Sequence, residues 1–202
     1  MNGRKGVAAA KPADASSRSS TIGRCRPGVD NQNGEKMKSQ LPATVVVSVP
    51  EPIYTLFNAK RDGMAEVIVV NEALLSFVHA EIFPWFLCVT LEARELIEDG
   101  MPAPSESELL FQIGDEIEGI VLGNQTESGA KNALFLSRST WNGLRQLLFY
   151  VHDPEIAHVA LQSLLESRSW ERAWDYRMED DSLWEKATYV FQLFPLAGVV
   201  HS

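Results

Sequence analysis

The stretch "QLLFYVHDPE", residues 146–155, decides how the chain is read. An apolar run ends in adjacent His152 and Asp153, and a proline and a glutamate follow. A catalytic dyad needs a carboxylate on one imidazole nitrogen while the other nitrogen faces substrate. If residues 144–152 form a strand, successive side chains leave it on opposite sides, so these two neighbours point apart. A structural reading accounts for the same residues with one mechanism. Asp153 suits a helix N-cap, Pro154 is pre-shaped for the first helical position, and Glu155 favours the positive helix end. The stretch is therefore read as a strand running into a helix, with His152 at the strand terminus. Ala157, Ala160, Leu161, Leu164 and Leu165 provide that helix with a buried face.

Working outward, "LRQLLFYVH" (144–152) follows "NALFLSR" (132–138) through "STWNG". Upstream, "IYTLFNA" (53–59) and "AEVIVV" (65–70) are β-branched or aromatic, and Asp62 and Gly63 between them signal a hairpin. "ATVVVSV" (43–49) reads as a further strand ahead of them. "NEALLSFVHAE" (71–81) suits a short helix capped by Asn71, and "FPWFLCVTLEA" (83–93) a buried strand. After "EDGMPAP", Ser105 and Glu108 have capping-box spacing, and apolar residues at 109, 110, 113, 117, 120 and 121 form one helical stripe. Gly123 and Asn124 close that helix. "ERAWDYRM" (171–178) alternates as a strand. Residues 183–193 are read as a helix, with Ser182 and Glu185 as a second capping box and Pro195 as the stop. The order predicts an α+β class: a mostly antiparallel sheet with helices packed on one face, a two-layer, plait-like sandwich. A single domain is expected over 43–196, with a short tail over 197–202.

Composition narrows the function classes. The chain has 202 residues, 45% hydrophobic and 22% charged, typical of one globular domain. Its net charge of −9 is uneven: residues 1–42 carry eight Lys/Arg against three acids, and the remainder ten against twenty-four. An acidic body repels phosphate backbones, which argues against nucleic-acid binding. No run approaches a membrane span, and no secretory signal is visible. Cys25 and Cys88 give neither a disulfide framework nor metal-ligand spacing, and Cys88 reads as a small buried hydrophobe. A cytoplasmic setting is expected. Residues 1–42 hold almost no large apolar side chains, so a disordered basic tail is expected. Met37 is an alternative start that removes no core residue; peptides upstream of Met37 in mass spectra of the native protein would overturn it.

No stretch carries a recognisable reaction centre. His152 and His158 lack a further ligand at zinc spacing. The run Glu179, Asp180, Asp181 reads as a solvated loop that caps the next helix. "LGNQTESG" has no lysine at phosphate-loop spacing, and no nucleophile elbow is present. No catalytic residue, metal or cofactor is assigned. Arg138 and Arg145 flank the turn holding Trp141, which reads either as a partner-binding hot spot or as a tryptophan folded back on the sheet edge. Candidate binding residues are Trp141, Arg138, Arg145, Tyr150 and His152.

Four segments carry a family resemblance. "DGMPAPSESELLFQIGDEIEGIV" (99–121) resembles the Gly-Leu-Pro segment, acidic linker and amphipathic helix of domain of unknown function 695, with Met101 where that family has Leu. "LRQLLFYVHDPE" (144–155), "DSLWEKATYVFQLFP" (181–195) and "AEVIVVNEAL" (65–74) are similar to its later strand, closing stretch and early strand. The resemblance implies a bacterial, cytosolic α+β domain with no activity attached. The leading expectation is a non-catalytic protein-interaction or regulatory module with a protein partner and no membrane contact. Two alternatives stand beside it: a small hydrolase or ligand-binding enzyme using His152 with Arg145 or Tyr150, and an inhibitor or immunity-type protein against a basic nuclease. Oligomeric state is left open, with an edge strand such as 43–49 able to pair across a dimer.

Overall fold

The structure, a computed structural model, describes residues 47–195. The basic tail, Met37, Cys25 and the C-terminal tail lie outside the described residues. Six strands form one sheet in the order β1-β2-β4-β5-β3-β6, and every neighbouring pair is antiparallel. The strands are β1 (Tyr54–Arg61), β2 (Met64–Asn71), β3 (Trp85–Glu92), β4 (Ala133–Trp141), β5 (Leu144–Val151) and β6 (Trp174–Asp180). The helices are α1 (Pro104–Gly123), α2 (Pro154–Glu166) and a short α3 (Thr188–Phe191). The α+β class with a largely antiparallel sheet is as expected. The anticipated strand over 43–49 differs: residues 47–50 are not in a strand, and 43–46 lie outside the described residues.

Two-residue turns set the hairpin registers. Asp62 and Gly63 both have positive φ (53° and 81°), as do Asn142 and Gly143 (47° and 74°). Such turns twist in the sense that antiparallel strands require. They place Arg61 opposite Met64 and Trp141 opposite Leu144. Gly100, at φ 72°, packs against the second turn, and a Cβ there would meet Asn142 Cα at 3.2 Å. Its carbonyl accepts from Gly143 N at 2.8 Å, so the "DGMP" loop is tied to the β4–β5 hairpin.

β5 lies inside the sheet and buries both of its faces. Leu147, Phe149 and Val151 join the core beneath α1 and α2, with Leu87, Val89, Leu91, Leu110, Ile117 and Leu161. Tyr150 belongs to a second core on the opposite face, with Ile68, Val70, Phe86, Leu134, Leu136, Trp184 and Val190. The two long helices thus share one face, while 3₁₀ turns and α3 cover the other. Leu136 is an extra residue in β4, because Phe135 pairs with Phe149 and Ser137 already with Leu148. This bulge inverts the alternation beyond it. Arg138 and Thr140 consequently join the helix-side face, and Ser139 and Trp141 the other.

Three local expectations change. Residues 71–81 do not form one helix but two 3₁₀ pieces, Glu72–Ser76 and Ala80–Ile82. Leu74, Phe77, Ala80 and Phe83 all reach the second core, and a spacing of three is the 3₁₀ period. Asn71 caps nothing with its side chain. It is buried, accepting from Ile53 N at 3.2 Å and donating to Phe135 O at 3.1 Å. Helix α1 starts at Pro104 after Ala103, without a Ser105 capping box. Near the C-terminus the cap is Asp181 rather than Ser182, accepting from Glu185 N and Lys186 N at 2.9 Å each.

Trp184 carries the closing segment. It has a left-handed backbone (φ 57°), costly for a residue with a Cβ, and is 7% exposed. Its indole stacks on Tyr150 with centroids 4.0 Å apart and donates to Phe83 O at 3.0 Å. Trp184→Ala is expected to lower stability by roughly 3–5 kcal/mol, measured by chemical denaturation. Trp184→Gly is expected to lose about 1 kcal/mol less, because glycine relieves the left-handed strain. Equal losses would show that the backbone stores none.

Candidate functional site

The sequence candidates divide between the two sheet faces. Tyr150 is wholly buried on the second face, where its hydroxyl donates to Asp181 Oδ2 at 2.6 Å. Burial, then that carboxylate, pushes its phenol far above the ordinary tyrosine value. His152 does not touch Asp153: its Nδ1 lies 2.6 Å from Ile82 O, and a carbonyl can only accept, so Nδ1 donates. Asp153 Oδ1 accepts from Glu155 N at 2.9 Å, the N-cap anticipated from the sequence. Asn132 braces the same junction through Asp153 N and Asp153 O at 2.9 and 3.0 Å. Arg145 is on the opposite face from Tyr150 and is not gathered with it, whereas His152 packs edge-on to Phe83 at 6.2 Å on the face that Tyr150 shares.

Trp141 is folded back on the sheet. Its indole donates to Arg61 O at 3.0 Å, and the Arg61 guanidinium lies over its ring at 4.9 Å. Arg61 also pairs with Glu66 at 2.7 Å, a carboxylate 1% exposed that accepts from Ser139 and Tyr189 hydroxyls at 2.5 Å each. Burial, then Glu66, raises the Tyr189 phenol. The cluster fastens α3 to β2 and β4. Glu106 fastens the other face: it accepts from Arg172 Nε and Nη2 at 2.6 and 2.5 Å and from Arg94 N at 2.9 Å. Among the described residues no three His, Cys, Asp or Glu form a group that could hold a metal. Four buried polar atoms lack a described partner: Asn124 Nδ2, Ser137 Oγ, Arg138 Nε and Trp174 Nε1. They sit on separate elements or opposite faces and converge on no cavity.

Arg138 and Arg145 do come together, on the helix side. Both guanidiniums lie over the Phe111 ring, at 5.1 and 4.0 Å. Arg138 bonds Asp115 and Glu118 at 3.0 Å each. Arg145 is 3% exposed and has neutral partners: Thr140 Oγ1 at 3.1 Å, Ser107 O at 3.3 Å and Ser107 Oγ at 3.2 Å. Burial, and then the charge of Arg138, lowers its pKa to about 10.

Beyond this pair the helix-side face runs out of cover. Helix α1 lies along β4 and β5, and its flank bearing Phe111, Asp115 and Glu118 borders β2 and β1. There Tyr54 and Leu56 are 51% and 59% exposed, Phe111 is 43% exposed, and Val67 and Val69 are half-buried. The Tyr54 ring packs edge-on to Phe135 at 5.8 Å, and burial, then Glu118, raises its phenol while Arg138 opposes. The result is an apolar and aromatic ledge rimmed by an arginine and two carboxylates. Sequence reading missed Phe111 because it lies just off the buried stripe of α1. Its spacing from Asp115 and Glu118, one and two turns along, was the available signal.

Two open depressions lie elsewhere on the helix side. One, about 310 Å³, separates α1 from the turn after α2 and contains the Arg168–Glu116 pair and Trp170. The other, about 430 Å³, runs between α2 and β6 and is lined by His158, Gln162, Leu165, Asp175, Tyr176 and Met178. No helix among the described residues is long and apolar enough to cross a membrane.

The Glu106–Arg172 pair has a pH signature. Hydrogen bonding from Arg172 is the main cause that lowers the Glu106 pKa from 4.5 to about 2, against the opposing effect of burial. A depressed carboxylate stabilises the fold above its unfolded pKa, and that contribution is lost as pH falls toward the folded value. Arg172→Gln is therefore expected to melt below the wild type at neutral pH. The gap should close progressively between about pH 4.5 and 2; a gap independent of pH in thermal melts would rule the linkage out.

The family of unknown function (DUF695) matches residues 54–193, from the first residue of β1 to just beyond α3. Comparison with curated proteins and with solved structures gives no match. The match takes in the Gly100 loop, the β5–α2 junction and the Trp184 stretch, three of the segments whose resemblance the sequence displayed. The chain belongs to the DUF695 family.

Proposed function

We propose that this domain is a non-catalytic interaction module that docks a protein partner on the uncovered ledge formed by β1, β2 and the flank of α1. One observation carries the reading. Phe111, Tyr54 and Leu56 stay exposed on the helix-side face while two arginines, one of them buried, are held against Phe111. Aromatic and arginine side chains on a partly desolvated apolar base are the composition of interface hot spots. A partner bringing apolar side chains would complete the half-built core over Val67 and Val69, and Arg138, Asp115 and Glu118 would supply the polar rim. The internal polar clusters support the same reading. Glu66, Glu106 and Asp181 are each engaged by several donors that fix secondary structure elements, an arrangement suited to holding a scaffold.

Leu56→Asp tests this, because residue 56 is exposed and a charge there costs little stability. Wild-type and variant domains immobilised side by side are expected to differ in one host protein, retained by the former and lost by the latter, with melting temperatures alike. Retention indifferent to the substitution would sink the reading. So would a metabolite screen showing turnover that a single pocket substitution abolishes.

A further inference from the structure

The edge formed by β6 and the flank of α2 has a geometry of its own. Glu92 N donates to Ala173 O at 3.0 Å, and Asp181 N donates to Pro84 O at 2.7 Å. In an antiparallel ladder the bonded residues alternate, so Ala173, Asp175, Arg177, Glu179 and Asp181 turn their amides and carbonyls toward β3. Trp174, Tyr176, Met178 and Asp180 turn theirs outward, where β6 has no further strand among the described residues. The side chains of Tyr176 and Met178 lie on the helix-side face, and α2 stands beside them with His158, Gln162 and Leu165 at helical spacing of four and three. A free strand edge therefore forms the floor of the roughly 430 Å³ groove, and a helix forms its wall.

We propose that this groove takes up an extended, basic peptide segment of a partner protein, which adds to β6 as a seventh strand. Main-chain bonds to Tyr176 and Met178 would hold the segment, and alternate apolar side chains would seat against Leu165 and Met178. Charge selects a basic segment. Helix α2 carries Glu155 and Glu166 and β6 carries Asp175 and Asp180, while Glu179 is already paired, with Arg177 at 3.3 Å and with Lys186 at 2.9 Å. A polar contact is also prepared. Gln162 Nε2 donates to Tyr176 Oη at 2.9 Å, and that hydroxyl lies 2.8 Å from His158 Nδ1. With Tyr176 donating to Nδ1, the neutral ring keeps its proton on Nε2 as a donor to a carbonyl of the incoming strand. This site is separate from the β1–β2 ledge, and neither depends on the other.

The test is titration of the isotopically labelled full chain with a capped hexapeptide alternating lysine and valine, read by amide NMR and hydrogen exchange. The Tyr176 and Met178 amides are expected to shift and to gain at least about tenfold protection, since each acquires a strand bond. Those of Asp175 and Arg177, already bonded to β3, should keep the protection they have. Met178→Pro removes an outward amide, at a position where an edge strand tolerates proline, together with the Met178 side chain that lines the groove, and is expected to abolish the response. Should that variant fail to fold, Gln162→Lys places a cation on the wall, leaves the strand intact, and is expected to weaken binding several-fold. Leu56→Asp is expected to leave the response unchanged. The proposal is overturned by β6 amides that stay unmoved at millimolar peptide, or by changes confined to Leu56 and Asn58 at the other edge. An equal response to a glutamate–valine peptide would overturn it too, as would concentration-dependent protection of β6 without peptide, which would give the edge to a second copy.

Discussion

Tyr150 holds three parts of the chain at once. Its ring stacks on Trp184 at 4.0 Å and meets Phe86 edge-on at 5.6 Å, while its hydroxyl donates to Asp181 at 2.6 Å. Asp181 in turn caps the turn leading into α3, so a single buried contact sets where the closing segment begins. Without that contact the second sheet face would lose Trp184, Ala187 and Val190, leaving Leu74, Phe77 and Phe83, from the 3₁₀ pieces and their ends, to cover it. A strand placed inside a sheet reads as continuously apolar when both faces are buried, which is what "LLFYV" displays.

The bulge at Leu136 does for polar groups what Tyr150 does for apolar ones. By inverting the alternation of β4 it brings Arg138 and Thr140 to α1 and Ser139 to Glu66. The same inversion separates Trp141 from the arginines that flank it in sequence. The aromatic partner of those arginines is Phe111, 27 and 34 residues upstream. The exposed ledge is thus a by-product of where α1 ends its cover. The helix lies over β4 and β5, with β1 and β2 left beyond its flank. On the other side α2 covers β3 but stands just short of the outer edge of β6, which leaves a groove in place of a ledge.

Much of the organisation was legible along the chain. Asp153, Pro154 and Glu155 announced the β5–α2 junction correctly because capping is local chemistry: one side-chain oxygen answers an amide two residues on. The Asp62–Gly63 turn was legible for the same reason, since a positive φ is a property of one residue, whereas the turn read as "STWNG" narrows to Asn142 and Gly143, with Ser139, Thr140 and Trp141 inside β4. Capping boxes at Ser105 and Ser182 were misread because spacing alone does not say which polar group is needed elsewhere. Glu106 is held by Arg172, 66 residues away, and the closing cap is Asp181, already fixed by Tyr150. The 71–81 segment was misread because the surface it follows is a sheet. Contacts at every third residue favour 3₁₀ turns over an α-helix.

What the sequence determined by itself was therefore the class of fold, the Asp62–Gly63 turn, the places of most strands along the chain and the membership of a family, since propensity, periodicity and short-range capping are all encoded within a few residues. The tertiary structure alone decided which polar residues meet and which surfaces stay open. Side-chain partnership across a sheet depends on strand order and on a one-residue bulge, and neither leaves a local trace. Arg138 and Arg145 became a pair with Phe111, Tyr150 met Asp181 and His152 met the Ile82 carbonyl through that long-range geometry.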